Sequence, residues 1–247
     1  HTIMIKMEHV ITHKQSGENM KKAFTLSEVL ITLGIIGVVA ALTMPSLITN
    51  HQKKQTVVQL RKVYSELQNV IKLSEIDNDP MSEWDFPQKN TYEDPEGIKQ
   101  FIEKYYLPYF KSAKLVKRSQ TNGYSPIPAI NTNFSYYIIL NNGVILAFYP
   151  CIKNDYIWLF VDLNGMKGPN RAGRDVFVFD AYKFDRIGAD RYKLRFWSKR
   201  FNENDVQDLI NHSEYGCRKG NTNQLKNFYC GRLIELNNWE IPANYPW

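Results

Sequence analysis

The residue types and spacings that could do chemistry fall into three groups along this chain. The first is Lys21-Lys22-Ala23-Phe24, followed closely by Glu28. Glu28 is the one charged side chain between Phe24 and Ile48. A carboxylate at the edge of an apolar helix is costly unless it is solvated or paired. The second group lies in Val161–Phe177, where Asp162, Asn164, Asn170 and Asp175 supply hard oxygens of the kind that suit Ca²⁺. Their spacing differs from that of an EF-hand loop, and Lys167, Arg171 and Arg174 oppose a cation there. The plainer reading is a turn-rich connector between two strands, with Asp and Asn capping their own turns. The third group is Cys151, Cys217 and Cys230. Cys217 and Cys230 enclose the polar stretch Arg218–Tyr229, a spacing that suits a loop staple. Cys151 could instead pair with either, and spacing alone leaves the choice open. A zinc site needs about four ligands, and His212 is the single extra donor nearby. His1, His9 and His13 are too loosely placed to form a metal site.

Around these groups no nucleophile motif or Gly-rich phosphate loop appears, so the expectation is a protein that is not an enzyme. The formal net charge is +6. Setting aside the four Lys and two acidic residues of 1–23 leaves +4. That modest excess, spread along the chain, makes nucleic acid an unneeded partner. Trp84, Trp158, Trp197, Trp239 and Trp247 could form a ligand surface, but core packing is their default role.

The elements that must position these groups begin with an apolar run. Phe24–Ile48 is 25 residues, about 37 Å as helix, enough to cross a bilayer. Thr32 and Thr43 can bond the preceding helical turn, and Gly34 and Gly37 present a small face for close helix contact. The helix is expected to continue past Pro45. From Gln55 to Ile76 a single apolar stripe runs through Val57, Leu60, Val63, Tyr64, Leu67, Val70 and Ile71, with Ser74 next on that face. The spacing predicts a stop near Asp77-Asn78-Asp79-Pro80. Met81–Pro95 reads as loop, Gly97–Ser112 as a helix interrupted by Pro108, and Thr121–Thr132 as turn-rich. Then the period changes to that of strands: Phe134–Leu140, Val144–Tyr149, Ile157–Leu163, Val176–Tyr182 and a further one in Tyr192–Trp197. Asn141-Asn142-Gly143 predicts a hairpin. Near the C-terminus, Leu233, Leu236 and Trp239 can face the core, and Tyr245 and Trp247 can anchor against the domain. The fold class is α+β: a long N-terminal helix with a transmembrane half and an amphipathic half, the latter packed on a mostly antiparallel sheet.

The segment Lys21–Leu47 resembles the processing and methylation signal of type IV prepilins and type II secretion pseudopilins. Basic pair, small residue, Phe, Glu and apolar helix follow in family order. The resemblance implies cleavage between Ala23 and Phe24 by a prepilin peptidase, N-methylation of Phe24, and retention of the apolar helix as a membrane anchor. It implies that Glu28 meets the Phe24 amine of a neighbouring subunit during assembly. Residues 1–23 then form a leader, with Met20–Ala23 a complete short leader by itself, 24–48 the transmembrane and assembly helix, and 49–247 the exported domain. Asp-x-Asn-Gly, Pro-Asn and Gly-x-Asp in Asp162–Asp175 look like a loop carried by many pseudopilin-like proteins, some of which bind calcium nearby. The Cys217–Cys230 spacing resembles the C-terminal disulfide loop of many pilins. The implied partners are other pilin or pseudopilin subunits, an inner-membrane assembly platform and membrane lipid. The implied location is the bacterial inner membrane, single-pass, with the C-terminal domain exported to periplasm or cell surface. The implied function is that of a structural subunit of a type II secretion pseudopilus or type IV pilus-like filament; the alternative is a minor tip pilin that binds a surface, a ligand or DNA.

Overall fold

A computed structural model describes residues 25–127, 134–151, 156–183, 194–198, 205–221 and 225–247. The expected leader, residues 1–23, and Phe24 lie outside the described residues, as do Thr132 and Tyr192. The chain divides into two units at the step from Ile48 to Thr49.

Helix α1 runs from Leu26 to Asp77 and keeps Pro45 inside it. In the first unit its apolar side chains are exposed on every side, Leu26, Leu30, Ile36 and Leu42 among them. The hydroxyl of Thr32 donates to the Val29 carbonyl and that of Thr43 to the Val39 carbonyl, both at 2.9 Å. The two hydroxyls of the Val29–Met44 run are thereby bonded within the helix.

In the second unit the same helix becomes one-sided. Its buried residues are Val57, Leu60, Val63, Tyr64, Leu67, Val70, Ile71 and Ser74, the stripe expected from the spacing. Each large apolar side chain removed from water there contributes about 1.5–3 kcal/mol. The helix ends where Asp79 adopts a left-handed backbone (φ 62). The Asn78 amide donates to the Tyr109 hydroxyl at 2.7 Å, and the Trp84 indole to the Asp79 carbonyl at 3.0 Å. Helix α2, Pro95–Tyr105, begins two residues earlier than expected because Pro95 opens its first turn and the Asp94 carboxylate caps Gly97 N–H at 2.9 Å. It also ends sooner than Ser112. Pro108 falls in a separate 3₁₀ turn, Leu107–Tyr109.

Six strands follow: β1 Ala113–Lys117, β2 Tyr136–Leu140, β3 Ile145–Cys151, β4 Tyr156–Asp162, β5 Val176–Tyr182 and β6 Leu194–Phe196. They pair in sequence order, every neighbour antiparallel, in one open sheet. Strand β1 was not expected from the sequence. At the β2–β3 hairpin the Gly143 N–H returns to the Leu140 carbonyl at 2.9 Å and Gly143 takes φ 86. This is a three-residue loop closed by a left-handed glycine. Two short helices complete the fold, α3 Val206–Asn211 and α4 Cys230–Leu236.

Both faces of the sheet are covered. Leu159, Val161, Phe177 and Phe179 lie in one core with the α1 stripe and α2. Tyr64 stacks on Phe179, ring centres 5.6 Å apart. Phe160, Val176 and Val178 lie in a second core with Trp197, Leu209, Phe228 and Tyr229. Burial on both faces explains why β4 and β5 read as nearly continuous apolar runs rather than alternating ones.

Candidate functional site

Thr25 and Glu28 form the first site. The Thr25 N–H and hydroxyl both donate to Glu28 Oε2 at 2.8 Å, and the Glu28 N–H donates to Thr25 Oγ1 at 3.2 Å. This reciprocal pair is a capping box. It places the carboxylate at the positive end of the helix dipole and satisfies amide hydrogens that α1 would otherwise leave open. The Thr-x-x-Glu spacing is the sequence signal for this role of Thr25, one not among the expectations drawn from the chain. Beyond the box, a Cβ built on Gly34 or Gly37 would meet nothing within 4 Å.

The second site is the β4–β5 connection. Asp162 is fully buried. Its Oδ1 accepts the N–H groups of Asn164 and Gly165, each at 3.0 Å, and its Oδ2 accepts the Tyr124 hydroxyl at 2.5 Å. Burial pushes the Asp162 carboxyl up to about 6, against the pull of those three hydrogen bonds. Burial also raises the Tyr124 phenol, and the adjacent carboxylate adds to the effect. The Asn170 amide donates to the Ser125 carbonyl at 3.0 Å. Asp175 sits nearby, raised by burial and pulled back by Arg174, whose Nε lies 4.0 Å from its Oδ1. Asp162 and Asn170 therefore hold the connection to the segment before β2. Asn164 Oδ1 and Asp175 Oδ2 are buried without a hydrogen-bond partner among the described residues. Tyr124 had no signal in the sequence as the partner of Asp162.

The connection is also locked to the C-terminal segment. Gly173 takes φ +80, and a Cβ there would stand 2.7 Å from Cys230 Sγ. The Gly173 carbonyl accepts the hydroxyl of Tyr245, itself fully buried with its phenol raised well above the ordinary range. Cys230 is bonded to Cys217, with 4.9 Å between their Cα atoms. Cys151 is free and half-buried at the end of β3, its thiol pushed up to about 12 by burial. A thiol so raised is a poor nucleophile. His212 ends α3, and its Nδ1 accepts the N–H groups of Glu214 and Tyr215 at 3.3 Å. Trp84 and Trp197 are buried, whereas Trp158, Trp239 and Trp247 are half-buried. Among the described residues no group of three or more His, Cys, Asp or Glu could hold a metal ion.

Residues 19–44 match the prokaryotic N-terminal methylation motif. Residues 46–247 match a family of unknown function, DUF6613. No curated protein and no solved structure matches the chain. The motif ends within the exposed apolar part of α1, and the second match takes in the amphipathic part, the whole sheet and the C-terminal lock. A methylation-motif helix thus leads into an α+β domain of pilin-like construction, and over most of its length the chain belongs to the family of unknown function DUF6613.

Proposed function

We propose that this protein is a structural subunit of a type II secretion pseudopilus or type IV pilus-like filament. A prepilin peptidase cuts between Ala23 and Phe24, Phe24 is N-methylated, and residues 24–48 anchor the chain in the bacterial inner membrane, with 49–247 exported. One observation carries this reading. The methylation motif falls on a helix whose large apolar side chains are exposed on all sides. Such a surface is stable only in lipid or against other apolar helices. A pilin-type subunit uses both surroundings in turn, first the bilayer and then neighbouring copies drawn up by an inner-membrane assembly platform.

Within a single subunit the Glu28 carboxylate is satisfied by Thr25. In the filament it meets the Phe24 amine of the next subunit. That exchange sets register, because a subunit joined out of step leaves two buried charges unpaired.

The test is mass spectrometry of the N-terminal peptide from membranes of a host with an active prepilin peptidase. A peptide beginning at N-methylated Phe24 is expected. An intact leader, or a cut beyond the apolar run, would sink the assembly reading.

A further inference from the structure

Trp247 lies between two cations from different parts of the domain. Lys53 Nζ of α1 stands 6.0 Å from its ring centre, and the Arg174 guanidinium of the β4–β5 connection stands 5.1 Å from it. Lys54 and Arg171 are exposed beside them in sequence. Arg171 is tied to the same turn, its carbonyl accepting the Arg174 N–H at 3.1 Å. Asp175, mostly buried, faces Arg174 and feels the charge of Arg171. Among the described residues Lys53 forms no ion pair with a carboxylate. The indole is held at its base by packing on the core around Tyr245 and is otherwise half-exposed.

The position of this group along the chain selects its partner. Lys53 is five residues beyond Ile48, where the exposed apolar run of α1 ends. At helical rise that is about 8 Å. The headgroup layer on each side of a bilayer is about 5–8 Å deep. Tryptophan beside lysine and arginine is the composition that settles at that level, with the ring among the acyl-chain ends and the cations on phosphates. A second cation–aromatic pair, Arg61 over Trp239 at 5.7 Å, starts eight residues further along α1, about 12 Å beyond Lys53.

From this geometry we infer that Trp247, Lys53, Lys54, Arg171 and Arg174 form a docking surface for anionic lipid headgroups, which seats the exported domain on the membrane before assembly. The inference rests on the anchored reading above.

The test uses the full chain in vesicles carrying bromine-labelled acyl chains, with and without phosphatidylglycerol, read by tryptophan emission. In anionic vesicles the wild type is expected to show a bromine-quenched component that Trp247→Phe removes and Trp239→Phe retains. Lys53→Glu with Arg174→Glu is expected to reduce the docked-to-undocked ratio about fivefold per cation lost, and about 0.5 M NaCl to do the same. Near-UV circular dichroism checks that each variant remains folded. Quenching that survives Trp247→Phe, or that is equal in zwitterionic vesicles, overturns the inference. So does a shift of duplex DNA that depends on Lys53 and Arg174 in the absence of quenching, which assigns the patch to nucleic acid. Release of the chain by alkaline carbonate defeats the anchored reading itself, whereas a carbonate-resistant chain without Trp247 quenching defeats the lipid surface alone.

Discussion

Replacing Asp162 by Asn should give the domain a stability difference from wild type that depends on pH in an unusual direction. Asp162 is fully buried, and its folded pKa is raised from 3.8 to about 6. A carboxyl raised on folding binds its proton more tightly in the folded state. Its favourable contribution is therefore complete below about pH 4, declines as pH rises through about 6, and is absent above that. The difference of roughly two pH units corresponds to about 3 kcal/mol. Asn reproduces the protonated form: its carbonyl oxygen can accept from Asn164 and Gly165, and its amide can donate to the Tyr124 oxygen. The assay is urea unfolding of the full chain in detergent micelles, followed by tryptophan emission between pH 4 and 8. Relative to Asp162→Asn, wild type should gain about 3 kcal/mol on going from pH 7 to pH 4, a midpoint shift of about 1–3 M urea. Subtracting the variant at each pH removes the titration of groups remote from Asp162; Asp175, whose charge raises Asp162, is coupled to it and adds to the difference. A flat difference, or wild type gaining as pH rises, refutes the reasoning: the Tyr124, Asn164 and Gly165 hydrogen bonds would then outweigh burial and hold Asp162 ionised.

Gly173→Ala should destabilise the fold by about 2–4 kcal/mol, since the backbone there is left-handed and the new methyl meets Cys230 Sγ; an unchanged urea midpoint would show that the lock is loose. Reducing the Cys217–Cys230 bond, which closes a span of 13 residues, should cost about 3 kcal/mol. Cys151→Ser should leave the effect of reductant on the midpoint intact. Leu67→Ala, at a position with no exposure, should cost about 2–5 kcal/mol, whereas Val58→Ala, on the exposed face of the same helix, should stay within about 0.5 kcal/mol.

Most of α1 is legible because its two halves carry unambiguous patterns. The amphipathic stripe from Val57 to Ser74 repeats at helical spacing, and only one helical phase buries all of it. The long middle strands are legible for the opposite reason: coverage on both faces makes them continuous β-branched and aromatic runs. The errors cluster where neighbours decide the structure. Strand β1 carries Lys114 and Lys117 on a short sheet edge, so its sequence lacks the apolar run by which the others are recognised. The expected strand Val144–Tyr149 stops short of Pro150, yet Pro150 pairs with Ile157 and β3 continues to Cys151. The register explains this. Tyr137 of β2 stands opposite Ala147, and β2 begins one residue before it, so β3 has lost its β2 neighbour by Pro150 and a missing N–H is harmless there.

The loop chemistry was the least legible part because its partners are distant in sequence. Asp162, Asn164, Asn170 and Asp175 carry oxygens, and composition invites a cation. Two of them bond the segment before β2, through Tyr124, 38 residues from Asp162, and Ser125, 45 residues from Asn170. Gly173 is answered by Tyr245, 72 residues away. These contacts make one argument about the domain's construction. The Asp-Leu-Asn-Gly turn does not stand free as a surface loop: the tyrosine before β2 holds it, and further along the same connection the C-terminal lock holds Gly173. A disturbance at the disulfide meets the connection at Gly173, where a Cβ would stand 2.7 Å from Cys230 Sγ. The pH dependence of Asp162 therefore reports on the turn and its Tyr124 partner, and the urea response of Gly173→Ala reports on the lock.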